Sequence, residues 1–171
     1  MKYLLISMFF LLQFTAFSQQ KSCFDVARKG TLQEIKSMFT ANSKIIDSIN
    51  DRKSSMLILA CYYNNNEVAK FLIENKVDLN YVSDSGTALM ACIVKGNNEM
   101  AKYIIEKKAN INLTDANGTT ALIYAVNFKN IEMIKLLLDN KADKTKTDKN
   151  GKTAFEYAAF SNEQQIINLL K

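Results

Sequence analysis

Three cysteines, seventeen carboxylates and no histidine at all bound the chemistry open to this chain of 171 residues. Without an imidazole no Ser/His/Asp or Cys/His nucleophile can be assembled, and no histidine-ligated metal site exists. Cys23, Cys61 and Cys92 are odd in number, so they cannot all pair within one chain. Paired carboxylates remain a route to hydrolysis. Asp115 and Asp148 each precede an Asn-Gly within DANG and DKNG. In equivalent places of adjacent units they would stand about one helix-packing distance apart, ~8–10 Å, which an inverting hydrolase tolerates. A tight turn explains both aspartates fully, however, because Asn-Gly supplies the positive φ that such turns need. No other polar groups converge on them, and a function has to be argued from a site. The expectation is a chain that is not an enzyme, with no catalytic residue, no metal and no cofactor.

The elements that carry these residues repeat. Thr87, Thr120 and Thr153 recur at intervals of 33, as do Leu89, Leu122 and Phe155, and Ser55 and Leu57 extend the series backward at an interval of 32. NNEMAKYIIEKKANIN, from Asn97, answers NNEVAKFLIENKVDLN, from Asn65, and NIEMIKLLLDNKAD, from Asn130. Leu122, Ala125 and Val126 follow the Thr at helical spacing, and Ile131, Ile134, Leu137 and Leu138 form the stripe of a second helix. Each unit therefore reads as turn, short helix, short helix. Two short helices bury too little alone, whereas a stack shares one core. Small residues at Ala60, Cys92, Ala125 and Ala158 suit the close approach of neighbouring helices. Aligned this way, Cys23 falls at the Leu57 place, Cys92 at the Ala60 place, and Cys61 just after Ala60. All three read as small buried filler with inert thiols, and an oxidising compartment leaves a Cys61–Cys92 bridge open.

Residues 1–18 read as an export signal. Lys2 precedes an apolar run from Leu4 to Phe17, and Ala16-Phe17-Ser18 offers small residues for cleavage after Ser18. The run is short for a membrane span. The expectation is a periplasmic or secreted protein with no stable membrane anchor after signal removal, and one domain over 19–171. Removing Lys2 leaves 21 basic and 17 acidic side chains, a net of +4. That charge favours an anionic partner without naming one, and export argues against nucleic acid.

These residues resemble the ankyrin-repeat family, whose unit of about 33 residues opens on T-P-L-H-x-A. Here the phrase is Thr87-Ala88-Leu89-Met90-Ala91-Cys92, then Thr120-Ala121-Leu122-Ile123-Tyr124-Ala125, then Thr153-Ala154-Phe155-Glu156-Tyr157-Ala158. Gly96 through Ile105 and Ala142-Asp143 are similar to the later signature. The resemblance implies an all-α solenoid of stacked helix-turn-helix units joined by β-hairpin-like loops, with units near 22–50, 51–82, 83–114, 115–147 and 148–171. The family's Pro and His are missing from every copy, which removes a preset first turn and the usual loop hydrogen bonds. Lys76, Lys108 and Lys141 replace the Gly before Ala-Asp, and Asn75 and Asn140 are expected to share the left-handed conformation there. Glu67 with Lys70, Glu99 with Lys102 and Glu132 with Lys135 are spaced to pair within second helices.

In the family, the residues ending the first helix and the hairpin tips line the concave face that meets a partner. The matching positions here are Tyr62, Tyr63, Lys95, Phe128 and Phe160, with Arg52, Lys53, Ser85, Asn117, Lys149 and Lys152 at the tips. Exposed rings are typical interface anchors, although local packing beneath the hairpins would also use them; Tyr124 and Tyr157 read as packed between units. The dense lysines from Lys141 to Lys152 suit either a solvated loop or a docking patch for an acidic partner. The resemblance implies a monomeric protein-protein interaction module. The alternative is an inhibitor or immunity-type protein that neutralises one enzyme or toxin through the same surface.

Overall fold

The computed structural model describes residues 21–171, so the export segment lies outside the described residues. Five helix pairs follow one another: α1 (Cys23–Lys29) with α2 (Leu32–Ala41), α3 (Met56–Tyr62) with α4 (Asn66–Glu74), α5 (Ala88–Val94) with α6 (Asn98–Glu106), α7 (Ala121–Asn127) with α8 (Ile131–Asp139), and α9 (Ala154–Phe160) with α10 (Gln164–Leu170). A 3-10 helix, Ser43–Asp47, follows α2. No described helix is long and apolar enough to cross a membrane. Extended pairing among the described residues is confined to isolated bridges inside the hairpins, such as Ile49 with Ser55 and Thr114 with Thr120.

The recurring Thr is a helix cap. Ser55, Thr87, Thr120 and Thr153 accept the amides of Ile58, Met90, Ile123 and Glu156, satisfying one free donor at each first-helix start, an interaction worth about 1 kcal/mol. Ser22 does the same for Asp25. Ser22 thus takes the Thr place in the first unit, which moves Cys23 to the Met56 place rather than the Leu57 place. That place is buried in the later units, yet Cys23 is only half-buried because it lies in the end helix, whereas Cys61 and Cys92 are fully buried.

First helices pack on first helices along the stack, α1 on α3, α3 on α5, α5 on α7 and α7 on α9, and α2, α6 and α8 pack on α4, α8 and α10. A central first helix is covered on both sides and by its own partner. Met56 through Cys61 and Ala88 through Ile93 are accordingly all buried. An end helix lacks one neighbour: α1 buries only Val26 and Ala27, and α9 only Ala154 and Ala158. Ala60, Cys92, Ala125 and Ala158 have no exposed surface, as expected where helix axes approach closely. Phe155 occupies the place of the buried Leu57, Leu89 and Leu122, yet it is 38% exposed because, among the described residues, no further helix pair covers it.

Two features depart from expectation. The left-handed residues after the second helices are the lysines themselves, with φ of 68°, 68° and 67° at Lys76, Lys108 and Lys141. Asn75 and Asn140 stay at negative φ and instead donate their side-chain amides to the carbonyls of Phe71 and Leu136. The charged side chains on the second helices reach across units rather than along them. Lys70 bonds Glu99 at 2.9 Å, and Glu132 accepts from Asn98 at 2.6 Å. An asparagine ladder runs beside them, with Asn97 donating to Asn66 and Asn130 to Asn98, both at 2.7 Å.

Candidate protein-binding surface

The surface is built from the hairpin turns and the ends of the first helices. In each hairpin a short polar side chain turns back on its own backbone. Asn50 accepts from the amides of Arg52 and Ser54, Asp115 from those of Asn117 and Thr119, and Asp148 from those of Asn150 and Lys152. Gly118 sits so close to the next hairpin that a Cβ there would lie 3.2 Å from the Asp148 Cα. Neighbouring tips are tied by the Lys149 amide on the Asn117 carbonyl at 2.8 Å.

Asp115 and Asp148 do not project. They are 6% and 8% exposed, held under the turns they form. The second oxygen of each accepts a tyrosine hydroxyl of the same unit, Tyr124 at 2.8 Å and Tyr157. The hydroxyls of these tyrosines thus serve their own hairpin, while their rings lie partly buried against the core. The Tyr157 hydroxyl, with the turn amides, holds the Asp148 carboxyl at about 2. Burial and the Asp115 carboxylate push the Tyr124 hydroxyl up to about 12. Where the hairpin residue is neutral, at Asn50 and Ser83, the matching first-helix places hold Leu59 and Ala91. A buried carboxylate needs the extra donor and a neutral side chain does not. The carboxylate pair is thus engaged in turn structure, and the hydroxyls provide loop bonding where the motif's histidine is missing.

Beyond the turns, every first helix ends at an open place. The helices end at Lys29, Tyr62, Val94, Asn127 and Phe160, and the capping residues that follow are Gly30, Tyr63, Lys95, Phe128 and Ser161. All eleven residues expected on the surface from sequence are exposed. Tyr62 and Tyr63 form an edge-to-face pair, centroids 5.4 Å apart, and the Lys95 ammonium lies 4.7 Å above the Tyr62 ring. Lys152 lies 5.2 Å over Phe160 and 5.6 Å over Tyr157. The Lys149 ammonium bonds the Asn117 side chain at 2.6 Å. Phe128 stands between the two aromatic clusters, 53% exposed. The Lys53 ammonium faces Asp84 at 4.0 Å. Among the described residues, no ring contact or hydrogen bond joins Arg52 or Ser85 to either aromatic cluster.

Sequence reasoning missed the N-terminal end of this surface. Lys21, Arg28 and Lys29 border a recess of about 360 Å³ with Tyr63 and Asp25. The signal was available, because aligning Ser22 with Ser55 puts Lys29 at the Tyr62 place.

The pattern of a family described as ankyrin repeats (3 copies) matches the sequence over residues 24–115 and 107–171. No curated protein sequence matches the chain. The matched segments span nearly all of the described stack, and its capped helix pairs have the geometry expected of them: the chain belongs to the ankyrin-repeat family.

Proposed function

We propose that this protein acts outside the cytoplasm and binds another protein through the face formed by its first-helix ends and hairpin tips, the concave side in the family. One observation carries the reading. Of the exposed large hydrophobic side chains, Tyr62 and Phe160 end the first helices of the second and fifth units, and Tyr63 and Phe128 take the next position in the second and fourth. Water-facing rings gathered on one face suit an interface, where aromatic anchors dominate affinity. Arg52, Lys53, Ser85, Asn117 and Lys149 widen the contact along the tips, and the lysines steer approach. Binding is by complementarity across several units, with no chemical step. The export reading rests on the Leu4–Phe17 run and the small residues before Ser18.

Affinity capture with the native chain supplies the partner, and Tyr62→Ala combined with Phe128→Ala tests the face. The pair weakens binding by at least about tenfold, since each anchor is worth more than ~1 kcal/mol, while the thermal unfolding curve stays in place. Unchanged affinity with intact folding refutes the surface assignment. Terminal sequencing of the exported chain finds Gln19 first, and retention of Met1 refutes the export reading.

A further inference from the structure

We infer that the occupant of this surface is an acidic segment of the partner protein, whose carboxylates meet the lysine ammoniums while its apolar side chains lie on the rings between them. The inference rests on the reading of this face as a protein-binding surface and adds the chemistry of what binds.

Charge on this surface is unbalanced in a specific way. Lys95 and Lys152 lie over the Tyr62 and Phe160 rings with exposed side chains, so each ring carries a cation at its face. At the N-terminal end Lys29 joins the recess beside Tyr63. The acidic groups nearby are mostly engaged. Asp25 is held below its usual range by Ser22 first and Arg28 next. Glu156 closes a capping box on Thr153, and Glu163 pairs with Lys129 at 2.5 Å. Asp115 and Asp148 are buried in their turns. Asp51 and Asp84 stay exposed, but at the outer tips, where Asp84 faces Lys53. Along the helix ends, the cations are left to an incoming anion, and their exposure favours complementary negative charge.

A single-stranded nucleic acid is also anionic and also uses rings. It needs a continuous cationic groove that tracks its backbone, however, and here the ammoniums of Lys95 and Lys152 stand singly, one beside Tyr62 and one beside Phe160. The chain also has only Arg28 and Arg52 to offer the forked geometry that grips phosphate. Carboxylates and apolar side chains carried together on one face of a polypeptide match a surface on which single ammoniums and rings stand side by side.

Fluorescence anisotropy on the mature chain tests this with three labelled probes: a peptide of repeated Glu-Glu-Leu-Leu, which carries both residue types on each face of an extended chain, the same peptide with Lys in place of Glu, and oligodeoxythymidylate. The acidic peptide binds at least about tenfold tighter than its lysine counterpart, and this preference shrinks as salt rises, because exposed charges are screened. Lys95→Gln combined with Lys152→Gln weakens the acidic peptide about fivefold, the range for two exposed charge contacts. Lys102→Gln, on a second helix, leaves it unchanged. Equal binding of the two peptides, tighter binding of oligodeoxythymidylate, or an equal effect of Lys102→Gln overturns the inference. If a captured native partner depends on Tyr62 and Phe128 but not on Lys95, Lys152 or salt, this inference falls and the binding-face reading stands. If it depends on none of them, both fall.

Discussion

A carboxylate beneath a protein surface persists only with its lone pairs occupied, and the hairpins of this protein show the rule residue by residue. Asp115 and Asp148 each accept two turn amides and one tyrosine hydroxyl. Asn50 accepts the same two amides without a tyrosine. Asp148 titrates at 3.8 in an unfolded chain and at about 2 in the fold. Above pH ~4 it is ionised in both states and its contribution is complete. Between about pH 4 and pH 2 the unfolded chain takes up the proton first, so that contribution disappears. Asp148→Asn keeps the acceptor for the turn amides and removes the charge. The urea midpoint of the native chain therefore exceeds that of D148N at neutral pH, and the gap closes between pH 4 and pH 2; a gap independent of pH would refute the assignment. Tyr124 behaves oppositely. With its hydroxyl raised to about 12, it stabilises the fold fully below pH ~10 and loses that contribution as pH rises toward 12.

The second helices α4, α6 and α8 run for two to three turns and are followed by a left-handed residue, and the choice of that residue costs stability. An L side chain in this conformation costs about 1–2 kcal/mol, and Lys76, Lys108 and Lys141 all adopt it with exposed side chains. Glycine removes that strain but loses about 0.4–1 kcal/mol through the freer unfolded chain. Each of Lys76→Gly, Lys108→Gly and Lys141→Gly therefore stabilises by about 0.5–1 kcal/mol, and the three combine nearly additively because they sit in different units. Asn75→Gly is destabilising, because Asn75 lies at negative φ and its amide bonds Phe71. Urea unfolding of the four variants checks both signs, and stabilisation by Asn75→Gly without any by Lys76→Gly would reverse the account. The stripes, the Thr at each helix start and the register of the central units were legible in sequence because each rests on spacing within one unit. The left-handed lysines were not, since asparagine has the stronger intrinsic preference and only the end of the second helix decides which residue must turn. The Lys70–Glu99 bond was hidden for a related reason: i,i+3 spacing within a helix competes with the short step between units, which spacing in one helix does not reveal. The row of rings was legible because it begins where the repeated phrase ends. Its basic N-terminal end was obscured by the lone Ser22 cap, which has no Thr-Ala-Leu phrase behind it.

Across the whole molecule each pair is held mainly by its neighbours, so stability is a sum of local interfaces rather than one global core. The three cysteines sample this gradient. Cys23 is half-buried in the end pair, while Cys61 and Cys92 are buried on adjacent helices α3 and α5. The neighbouring Cys92 thiol, with burial, raises the Cys61 thiol well above its usual range, and a protonated thiol is a poor nucleophile. In the reduced protein a thiol-directed alkylating agent therefore modifies Cys23 first. Cys61 and Cys92 react together, at a rate set by opening of the central interface. Leu89 is 2% exposed in α5, and Leu89→Ala costs about 2–5 kcal/mol. Modification of Cys61 and Cys92 then accelerates by at least about thirtyfold, the factor corresponding to ~2 kcal/mol in the opening equilibrium. Phe155 is already partly exposed at the far end, so Phe155→Ala leaves all three rates nearly unchanged. Site-resolved mass spectrometry over time reads these rates. If Cys61 reacts as fast as Cys23 in native buffer, the central units are no more tightly covered than the ends, and the stack does not distribute its stability as its packing requires.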